Sequence, residues 1–317
     1  MLTKTNKIYI AGHKGMVGSA VWRALQNKGY TNLIGRTSKE LDLRNQSAVN
    51  TFFENEKPEI VIDAAARVGG ILANNNYLYQ FLMENMQIQN NLLDAAFQNN
   101  VSSFIFLGSS CIYPKLATQP ITEDSLLTGP LEPTNEWYAI AKISGVKTCE
   151  AIRKQYDKYF VSLMPTNLYG PYDNFDLQTS HVLPAMLRKF HDAKVNGNTP
   201  VTLWGTGTPM REFMHVDDLA SAVVFALENT LPDHLYNAGT GTDLTIKALA
   251  LLIQKITGHT GEIIWDDTKP DGTLRKLLSV NKLKNAGWSA EIDLENGLQQ
   301  TYNWFLENHN QLKEVKI

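Results

Sequence analysis

The sequence predicts an α/β protein: a doubly wound parallel sheet with helices on both faces, joined to a smaller mixed α/β lobe. Two observations support this prediction. Through the first half of the chain, short apolar runs alternate with longer segments of helical periodicity. After about residue 170, helices, short strands and loops rich in Asn, Pro, Asp and Gly are mixed. Right-handed crossovers between such strands give a parallel sheet whose ligand sites lie at the carboxyl ends of the strands.

The elements follow from these runs in chain order. The predicted strands are KIYIAG, NLIG, PEIVIDAAA, SFIFLGSS and YFVSLMP. The predicted helices are GMVGSAVWRALQNKG, NQSAVNTFFENEK, roughly residues 75–99 and about residues 136–156. Gly29 ends the first helix, as a glycine at C′ commonly does.

Composition excludes several classes of function. Charged residues make up 19% of the chain and the net charge is −3, so no global basic field favours nucleic acid. The first residues lack the apolar core of a signal peptide, and no apolar run has the length of a membrane span. Only Cys111 and Cys149 are present, which favours a reducing compartment, and we expect a cytoplasmic protein. We expect no metal, because no His/Cys cluster has zinc spacing.

A glycine triplet separates the first predicted strand from the first helix. In AGHKGMVGS, Gly12, Gly15 and Gly18 permit a tight turn, close approach of the backbone to a pyrophosphate and tight helix packing. The helix N-terminus adds free N–H groups and positive potential. The position between strand and helix favours a dinucleotide-binding, Rossmann-like domain over a purely structural turn.

The end of the second strand indicates which dinucleotide is preferred. NAD-binding domains place an acidic residue about 20 positions beyond the glycines. Here Arg36 stands 18 positions after Gly18, and a guanidinium suits a 2′-phosphate. Lys14 adds a second cation, so we predict NADP rather than NAD. A solvated loop residue is the alternative for Arg36. Asp42 and Leu43 are expected to cover the adenine.

The segment GSSCIYP follows the apolar run FIFL. In an extended chain, residues i and i+2 point to the same side, so Ser109 and Cys111 are expected to face one cleft. Free cysteine is often a small buried hydrophobe, and packing is therefore the alternative to chemistry for Cys111.

The motif YAIAK places Tyr138 and Lys142 four residues apart on one helix face. A nearby ammonium favours the phenolate and is expected to bring the tyrosine pKa closer to neutral. Ser109 can donate a hydrogen bond to the same carbonyl oxygen. Together with the glycine triplet, these residues predict a site where a bound dinucleotide transfers hydride and a side chain transfers a proton.

These motifs resemble the extended short-chain dehydrogenase/reductases that act on nucleotide sugars, over about residues 7–307. The matching segments are AGHKGMVGSA, AARVGGI, GSSCIYPK, EPTNEWYAIAK, MPTNLYGPYDNF, SHVLPA, WGTGTPMREFMHVDD and KPDGTLRKLL. The Ser-Ser-Cys segment and TPMREF are more specific than the general fold motifs, and they resemble the branch that makes GDP-L-fucose.

The resemblance implies a bifunctional, NADP-dependent oxidoreductase with epimerase activity. GDP-4-dehydro-6-deoxy-D-mannose would be epimerised at C3 and C5, and its C4 ketone would then be reduced by NADPH. Each inversion needs a base on one side of the ring and an acid on the other. A thiol and an imidazole suit this, because their ordinary pKa values of about 8.5 and 6.5 bracket neutrality. Cys111 and His181 are the expected pair, and which of them is the base stays open.

The resemblance also assigns site residues. The expected catalytic residues are Ser109, Cys111, Tyr138, Lys142 and His181. The expected cofactor contacts are Gly12, His13, Lys14, Gly15, Met16, Val17, Gly18, Arg36, Asp42, Leu43, Ala65, Leu107, Gly108, Ser109, Ser110, Lys142, Pro165, Thr166, Asn167, Leu168 and His181. The expected substrate contacts are Arg188, Lys189, Trp204, Arg211, Asp271 and Arg275. A solvated helix face (Arg188, Lys189), core packing (Trp204) and loop capping (Asp271, Arg275) are the alternatives for the substrate set.

Several structural expectations follow. Residues 1–169 are predicted to form the NADP-binding domain, with 201–230 returning to it, and 170–200 and 231–317 mainly the substrate lobe. Ser180 or Thr179 is expected to cap a helix with His181 in its first turn. His215 is expected to cap and pack the helix that it opens.

The resemblance implies a homodimer, with the helices at 75–99 and 136–156 as candidate interfaces. Other activities remain open: a different nucleotide-sugar 4-epimerase, 4,6-dehydratase or 4-reductase, or a cofactor-binding module without catalysis. Dehydratases of this superfamily generally carry an acidic pair where Cys111 and Ile112 stand here. A non-catalytic module tends to lose the tyrosine or the lysine, whereas Tyr138 and Lys142 are both present.

Overall fold

The computed structural model describes residues 2–269 and 271–309; the last residues of the predicted substrate lobe, 310–317, lie outside the described residues. The strands are β1 (Ile8–Ala11), β2 (Leu33–Ile34), β3 (Ile60–Asp63), β4 (Ser103–Leu107), β5 (Tyr159–Pro165), β6 (Asn167–Tyr169), β7 (Val201–Trp204), β8 (Met210–Arg211), β9 (Phe213–His215), β10 (Leu235–Ala238), β11 (Leu244–Thr245), β12 (Ile263–Asp266) and β13 (Arg275–Lys276). The helices are α1 (Met16–Asn27), α2 (Gln46–Glu56), α3 (Ile71–Asn76), α4 (Leu78–Gln98), α5 (Glu136–Tyr156), α6 (Val182–Val195), α7 (Val216–Glu228), α8 (Ile246–Thr257), α9 (Asn281–Asn285) and α10 (Leu294–Asn308).

A six-stranded parallel sheet organises the first domain. Its strand order is β10-β5-β4-β3-β1-β2, and every neighbouring pair is parallel. The chain runs outward from β1 to β2 and then from β3 to β5 on the other side, so the direction reverses between β1 and β3. This confirms the predicted doubly wound sheet and places a crevice at the carboxyl ends of β1 and β3.

Both faces of the sheet are apolar. Ile8 and Ile10 of β1 pack with α1 and α7 on one face, whereas Tyr9 and Ala11 pack with α2, α4 and α5 on the other. All four residues are buried, because helices cover both faces. This explains why the sequence of each central strand reads as a continuous apolar run.

Most helix boundaries agree with the sequence. Helix α5 has the bounds that were predicted for it, and Gly29 follows α1 with a φ of +85°. The predicted helix over 75–99 begins at Leu78, after the separate short helix α3. The break falls at Tyr77, whose φ of −124° and ψ of 46° are not helical.

The domain division needs two corrections. Leu235–Ala238 lies in the segment 231–317 that is predicted to belong mainly to the substrate lobe, but it forms β10 at the edge of the large sheet, because its buried apolar run pairs with β5. Of the segment 201–230, only the later part returns to the first domain, where α7 packs on α1. Residues 201–204 instead form β7, which pairs with β12 in a small separate sheet.

The smaller lobe is built around α6, α8 and α10, whose buried apolar side chains share one cluster. Strands β11, β8 and β13 form a three-stranded sheet beside it. Within the described ranges, each helix is too short or too polar to cross a membrane.

Candidate active site

The glycine loop forms a close-fitting cradle at the crevice. Gly12 has a φ of +77°, and a Cβ added there would lie 2.6 Å from the backbone oxygen of Ala64. A Cβ on Gly18 would collide with the backbone of Gly12. Gly15 is the N-cap of α1 and offers no capping side chain to the first N–H groups of the helix. The loop therefore fits a bound pyrophosphate, which needs close backbone approach and free N–H donors.

Arg36 lies just beyond β2, beside a cleft of about 420 Å³ that Glu40, Asn45 and Ser47 help to line. Its Nη2 atom lies 2.6 Å from an oxygen of Glu56, so the guanidinium already has one partner. The side chain keeps 35% of its surface exposed. A second anion can therefore reach the free side of the guanidinium.

The other predicted contacts of this region lie in the glycine loop and in the segment between β2 and α2. Lys14 is exposed, and the ring of His13 packs closely on Gly35. Asp42 accepts two 2.9 Å hydrogen bonds from Arg44, and the carbonyl oxygen of Leu43 accepts one from Asn91. The side chain of Asp42 is therefore oriented by Arg44.

The remaining predicted cofactor residues lie in two groups. One is the first turn of α1, with Met16 and Val17. The other follows the carboxyl ends of β3, β4 and β5, and comprises Ala65, Leu107, Gly108, Ser110, Pro165, Thr166, Asn167 and Leu168. Parallel strands end at one edge, so the sheet brings this second group to the side where the glycine loop lies.

Ser109 and Cys111 are neighbours, but not for the reason that the sequence suggested. Ser109 is extended, whereas Ser110–Ile112 form a turn of 3₁₀ helix, so strand alternation does not apply to Cys111. The Ser109 hydroxyl instead accepts a 3.3 Å hydrogen bond from the backbone N–H of Cys111 and caps the turn. A serine side chain that caps a short helical turn competes with continuation of the strand. The capped turn therefore stands where the sequence predicted an extended segment.

The Cys111 thiol is buried beside charged groups. The residue is 5% exposed, and burial raises the pKa of the thiol, while Lys276, Ser109 and Lys142 act in the opposite direction. Cys149 differs, since it belongs to an apolar cluster under α5 and burial raises its pKa to about 12. Cys111 is thus the cysteine whose thiol has cations nearby that counteract the effect of burial.

Lys142 links α5 to the end of β4. Its Nζ atom donates a 2.9 Å hydrogen bond to the carbonyl oxygen of Leu107 and lies 5.9 Å from the centre of the Tyr138 ring. The side chain is buried, and this burial lowers the pKa of Lys142, while Asp63 opposes the change. Asp63 itself is fully buried at the end of β3, and burial raises its pKa to about 6.

Tyr138 keeps its proton in this environment. Burial raises the pKa of the phenol, and the negative potential of Cys111 and Asp63 adds to the effect. The expected lowering of the pKa by the Lys142 ammonium is therefore not found, because the cost of removing a phenolate from water decides the direction of the shift. A protonated phenol at this position is equipped to donate a hydrogen bond or a proton.

His181 is the N-cap of α6 rather than a residue of its first turn. Thr179 and Ser180 do not cap the helix as expected: the Thr179 hydroxyl donates to Asp176 instead. Asp176 accepts hydrogen bonds from the backbone and hydroxyl of Thr179 in the preceding loop. The helix therefore starts only at Val182. The imidazole is exposed to solvent, and nearby protein atoms still lower its pKa by desolvation, which favours the neutral ring at pH 7.

A series of contacts connects Thr179, two residues before His181, with Tyr138. The backbone N–H of Gly70 donates a 3.0 Å hydrogen bond to the carbonyl oxygen of Thr179, which anchors the start of α6 to the loop after β3. A Cβ on Gly69 would lie 3.3 Å from the ring of Phe81. The Phe81 ring in turn packs edge-on against Tyr138 with 6.2 Å between centroids. The segment that leads to His181 is therefore anchored to the loop after β3, whose packing extends to Tyr138.

Among the predicted substrate residues, Arg211 has the most enclosed charge. Burial lowers its pKa, while Asp271 and Glu132 oppose this. Asp271 accepts hydrogen bonds from the backbone and hydroxyl of Thr206 at 2.7 and 2.8 Å. Trp204 is 62% exposed, which excludes the core interpretation, and the Nζ atom of Lys269 lies 5.8 Å from its ring.

The two basic residues of α6 are held by backbone carbonyl groups. Arg188 donates to Phe175 at 3.1 Å and Lys189 to Thr202 at 3.0 Å. Arg275 is not brought to the site, because it forms an ion pair with Asp243 at 2.6 Å.

Lys276 is the residue that the sequence reasoning missed. It pairs with Arg211 across β13 and β8, and its pKa is lowered by burial while Cys111 opposes the change. Alternation along β13 explains the difference: when Arg275 points out to Asp243, Lys276 points to the opposite face. The dipeptide Arg275–Lys276 was a signal that one of the two faces the site, although not which.

The expected capping role of His215 is confirmed. Its ring accepts a 3.3 Å hydrogen bond from the backbone N–H of Asp217 and caps α7. The described side chains contain no group of three or more His, Cys, Asp or Glu placed to hold a metal ion.

A glycine cradle at the switch point of a parallel sheet, with Ser109, Tyr138 and Lys142 at its carboxyl edge, defines a nucleotide-dependent oxidoreductase of the short-chain type. The family model described as NAD dependent epimerase/dehydratase family matches residues 8–239. The chain belongs to this family.

Three similar proteins illustrate the relationship. GDP-L-fucose synthase 1 of Arabidopsis thaliana is 55% identical over 97% of this chain and 95% of its own length. GDP-L-fucose synthase of Escherichia coli (strain K12) is 52% identical over 97% of this chain and 98% of its own length. The structure of a GDP-D-glycero-L-gluco-heptose synthase from Campylobacter jejuni, solved in the presence of NADPH, is 37% identical with a TM-score of 0.91, over 96% of this chain and 100% of that one.

Proposed function

We propose that this enzyme converts GDP-4-dehydro-6-deoxy-D-mannose to GDP-L-fucose, by epimerisation at C3 and C5 followed by reduction at C4 with NADPH. The observation that carries the proposal is the buried Cys111 thiol beside Ser109, Lys142 and Lys276. A simple reductase needs the serine, tyrosine and lysine alone. The additional thiol, with the His181 imidazole as its proposed partner, would provide the second acid/base pair that inversion requires. The similarity to GDP-L-fucose synthases over nearly the whole chain supports the same reaction.

NADPH is the proposed cofactor. When bound, it supplies the hydride for C4. The glycine loop around Gly12 and Gly18 would hold its pyrophosphate, since side chains at these positions would fill the cradle. Arg36 and Lys14 would hold the 2′-phosphate, because they are the cations at the end of β2 and in the glycine loop.

Cys111 and His181 are the proposed acid/base pair for epimerisation. In the free protein the thiol has a raised pKa and the imidazole a lowered one, so both are uncharged near pH 7. Together they hold one proton that can move, which is what a pair needs to remove a proton on one face and return one on the other. The order of the C3 and C5 inversions, and which group acts as base at each, stay open.

Ser109 and Tyr138 are the proposed donors to the C4 oxygen. As a flanking carbon loses its proton, negative charge develops on that oxygen, and two positioned O–H donors stabilise it. In the reduction, the protonated Tyr138 gives its proton to the same oxygen. Lys142, held by the carbonyl oxygen of Leu107, would keep its side chain on the helix face that carries the phenol.

The nucleotide of the substrate is proposed to lie on the smaller lobe. Arg211 and Lys276, side by side on β8 and β13, supply two cations for a diphosphate. The exposed ring of Trp204 offers a stacking surface, and Lys189 and Asp271 form hydrogen bonds with Thr202 and Thr206, two residues before and after it. Arg188 and Arg275 keep a proposed role at the periphery only, since both are occupied by protein partners.

We also infer a homodimer in the cytoplasm. Helices α4 and α5 pack together, and they expose large apolar side chains, with Tyr79 70% and Trp137 38% accessible. Apolar groups of this size on neighbouring helices favour a protein partner. Light scattering tests this state: a mass of twice 35.5 kDa is expected, and a monomer at micromolar concentration contradicts it.

The decisive experiment incubates the purified protein with NADPH and GDP-4-dehydro-6-deoxymannose in deuterium oxide. We expect one NADPH oxidised per sugar, and a GDP-L-fucose product with solvent deuterium at C3 and C5. Turnover without NADPH consumption would indicate a redox-neutral epimerase. NADPH consumption with retained D-configuration at both carbons would indicate a simple 4-reductase.

A further inference from the structure

Glu212 lies between β8 and β9, and its side chain is completely buried. One carboxylate oxygen, Oε1, accepts hydrogen bonds from the backbone N–H groups of Thr240 and Gly241, each at 2.7 Å. The other oxygen, Oε2, accepts one from the backbone N–H of Leu278 at 3.0 Å. A buried carboxylate is costly unless its oxygens are satisfied, and here backbone donors of two separate segments satisfy it.

These two segments hold the strands on either side of Arg211. Thr240 and Gly241 lead into β11, which pairs with β8 so that Leu244 lies opposite Arg211. Leu278 follows β13, where Lys276 lies opposite Arg211 from the other side. Each oxygen of Glu212 therefore anchors one neighbour of the strand that carries Arg211.

The backbone of Glu212 connects these strands of the smaller lobe to the first domain. Its carbonyl oxygen accepts hydrogen bonds from the Thr166 hydroxyl at 3.2 Å and from the Asn167 side chain at 2.8 Å. Both residues follow β5, at the carboxyl edge of the large sheet. One residue thus joins both flanking strands of the smaller lobe to the edge that holds the catalytic set.

We propose that Glu212 is a positioning residue for the sugar nucleotide, acting through Arg211 and Lys276. It holds the two cations in register with each other and fixes their distance from Ser109 and Cys111. This inference rests on the proposed function, because it takes the diphosphate of the substrate as the group that the two cations bind. A small displacement of such cations weakens substrate binding without touching the cofactor.

Asp218 provides a matched control. It is also buried, and its two oxygens accept hydrogen bonds from the backbone N–H groups of Glu291 and Ile292, each at 3.0 Å. It anchors the segment before α10 to α7, and neither of its partners lies on a strand paired with β8. Asp218→Asn therefore removes a comparable buried charge without loosening Arg211 or Lys276.

The experiment compares Glu212→Gln, Asp218→Asn and the wild type by thermal unfolding, NADPH affinity, GDP affinity by calorimetry and KM for the sugar nucleotide. Both variants are expected to unfold at lower temperature. Only Glu212→Gln is expected to raise the Kd for GDP and the KM about tenfold or more, with the Kd for NADPH within twofold of the wild type. If Glu212→Gln does not fold, Glu212→Asp, whose shorter side chain cannot reach both segments, replaces it with the same expected result.

Wild-type GDP affinity in Glu212→Gln, or an equal loss in Asp218→Asn, overturns the positioning role. Failure of the proposed function has a different signature, which is a wild type that binds GDP but does not turn over the 4-keto sugar. The GDP affinities of the variants then still decide the role of Glu212. A wild type that does not bind GDP overturns both.

Discussion

The Lys142 ammonium donates a 2.9 Å hydrogen bond to the carbonyl oxygen of Leu107, the last residue of β4. This bond fixes the first turns of α5 against the strand end that carries Ser109 two residues later. Tyr138 lies one helical turn before Lys142, on the same face. This hydrogen bond therefore holds the helix face that carries the phenol against the end of the strand that leads to Ser109.

Tyr138→Phe is expected to lower the rate of NADPH oxidation about 100- to 10,000-fold, because it removes the proton donor for the C4 oxygen. Deuterium exchange at C3 and C5 should fall less, since Ser109 still donates to the enolate oxygen. Single-turnover kinetics and NMR of the sugar measure the two rates. Tyr156→Phe, at the exposed end of the same helix, serves as the control. Reduction at the wild-type rate in Tyr138→Phe would contradict the assignment.

Cys111→Ser is expected to reduce solvent exchange at C3 and C5 by about 100-fold or more, because a serine hydroxyl titrates far above neutral pH. The Kd for NADPH should stay within twofold of the wild-type value. The control is Cys149→Ala, which removes the thiol of the apolar core and should lower thermal stability while exchange continues. Normal exchange in Cys111→Ser would remove the thiol from the mechanism.

The rate of exchange is expected to show a broad bell-shaped dependence on pH. The active pair holds one proton, whichever group is the base. Desolvation lowers the pKa of His181, so the acid limb lies below about 6.5, the ordinary value for histidine. Burial raises the pKa of Cys111, so the alkaline limb lies above about 8.5. A pH profile of kcat/KM for exchange checks both limbs, and a maximum narrower than this interval contradicts the two shifts.

Arg36→Ala is expected to weaken NADPH binding about 10- to 100-fold, since it removes a charge-assisted contact to the 2′-phosphate. NADH lacks this phosphate, so its affinity should change less than threefold. Fluorescence titrations with both nucleotides measure the ratio. Arg23→Ala is a matched control, because Arg23 is also ion-paired, at 3.0 Å to Asp217, and has similar exposure. An equal loss for both nucleotides would mean that Arg36 supports the fold alone.

Local sequence signals predicted elements best where a single periodic run is long. Helix α5 and strands such as β4 agree with the sequence because their apolar patterns decide their burial. Prediction was weaker where a side chain competes for backbone groups. Ser109 caps a 3₁₀ turn that ended the expected strand alternation, and Asp176 draws Thr179 away from α6, so that the helix starts only at Val182.

The sequence by itself determined the doubly wound sheet, the glycine cradle and the residue types of the site. These depend on neighbours along the chain: apolar periodicity, a glycine triplet and a tyrosine one turn before a lysine. Only the tertiary structure decided which of Arg275 and Lys276 faces the thiol, that Tyr138 stays protonated, and that Glu212 joins the two lobes. These properties arise from strand pairing and desolvation between segments distant in sequence, which no local pattern records.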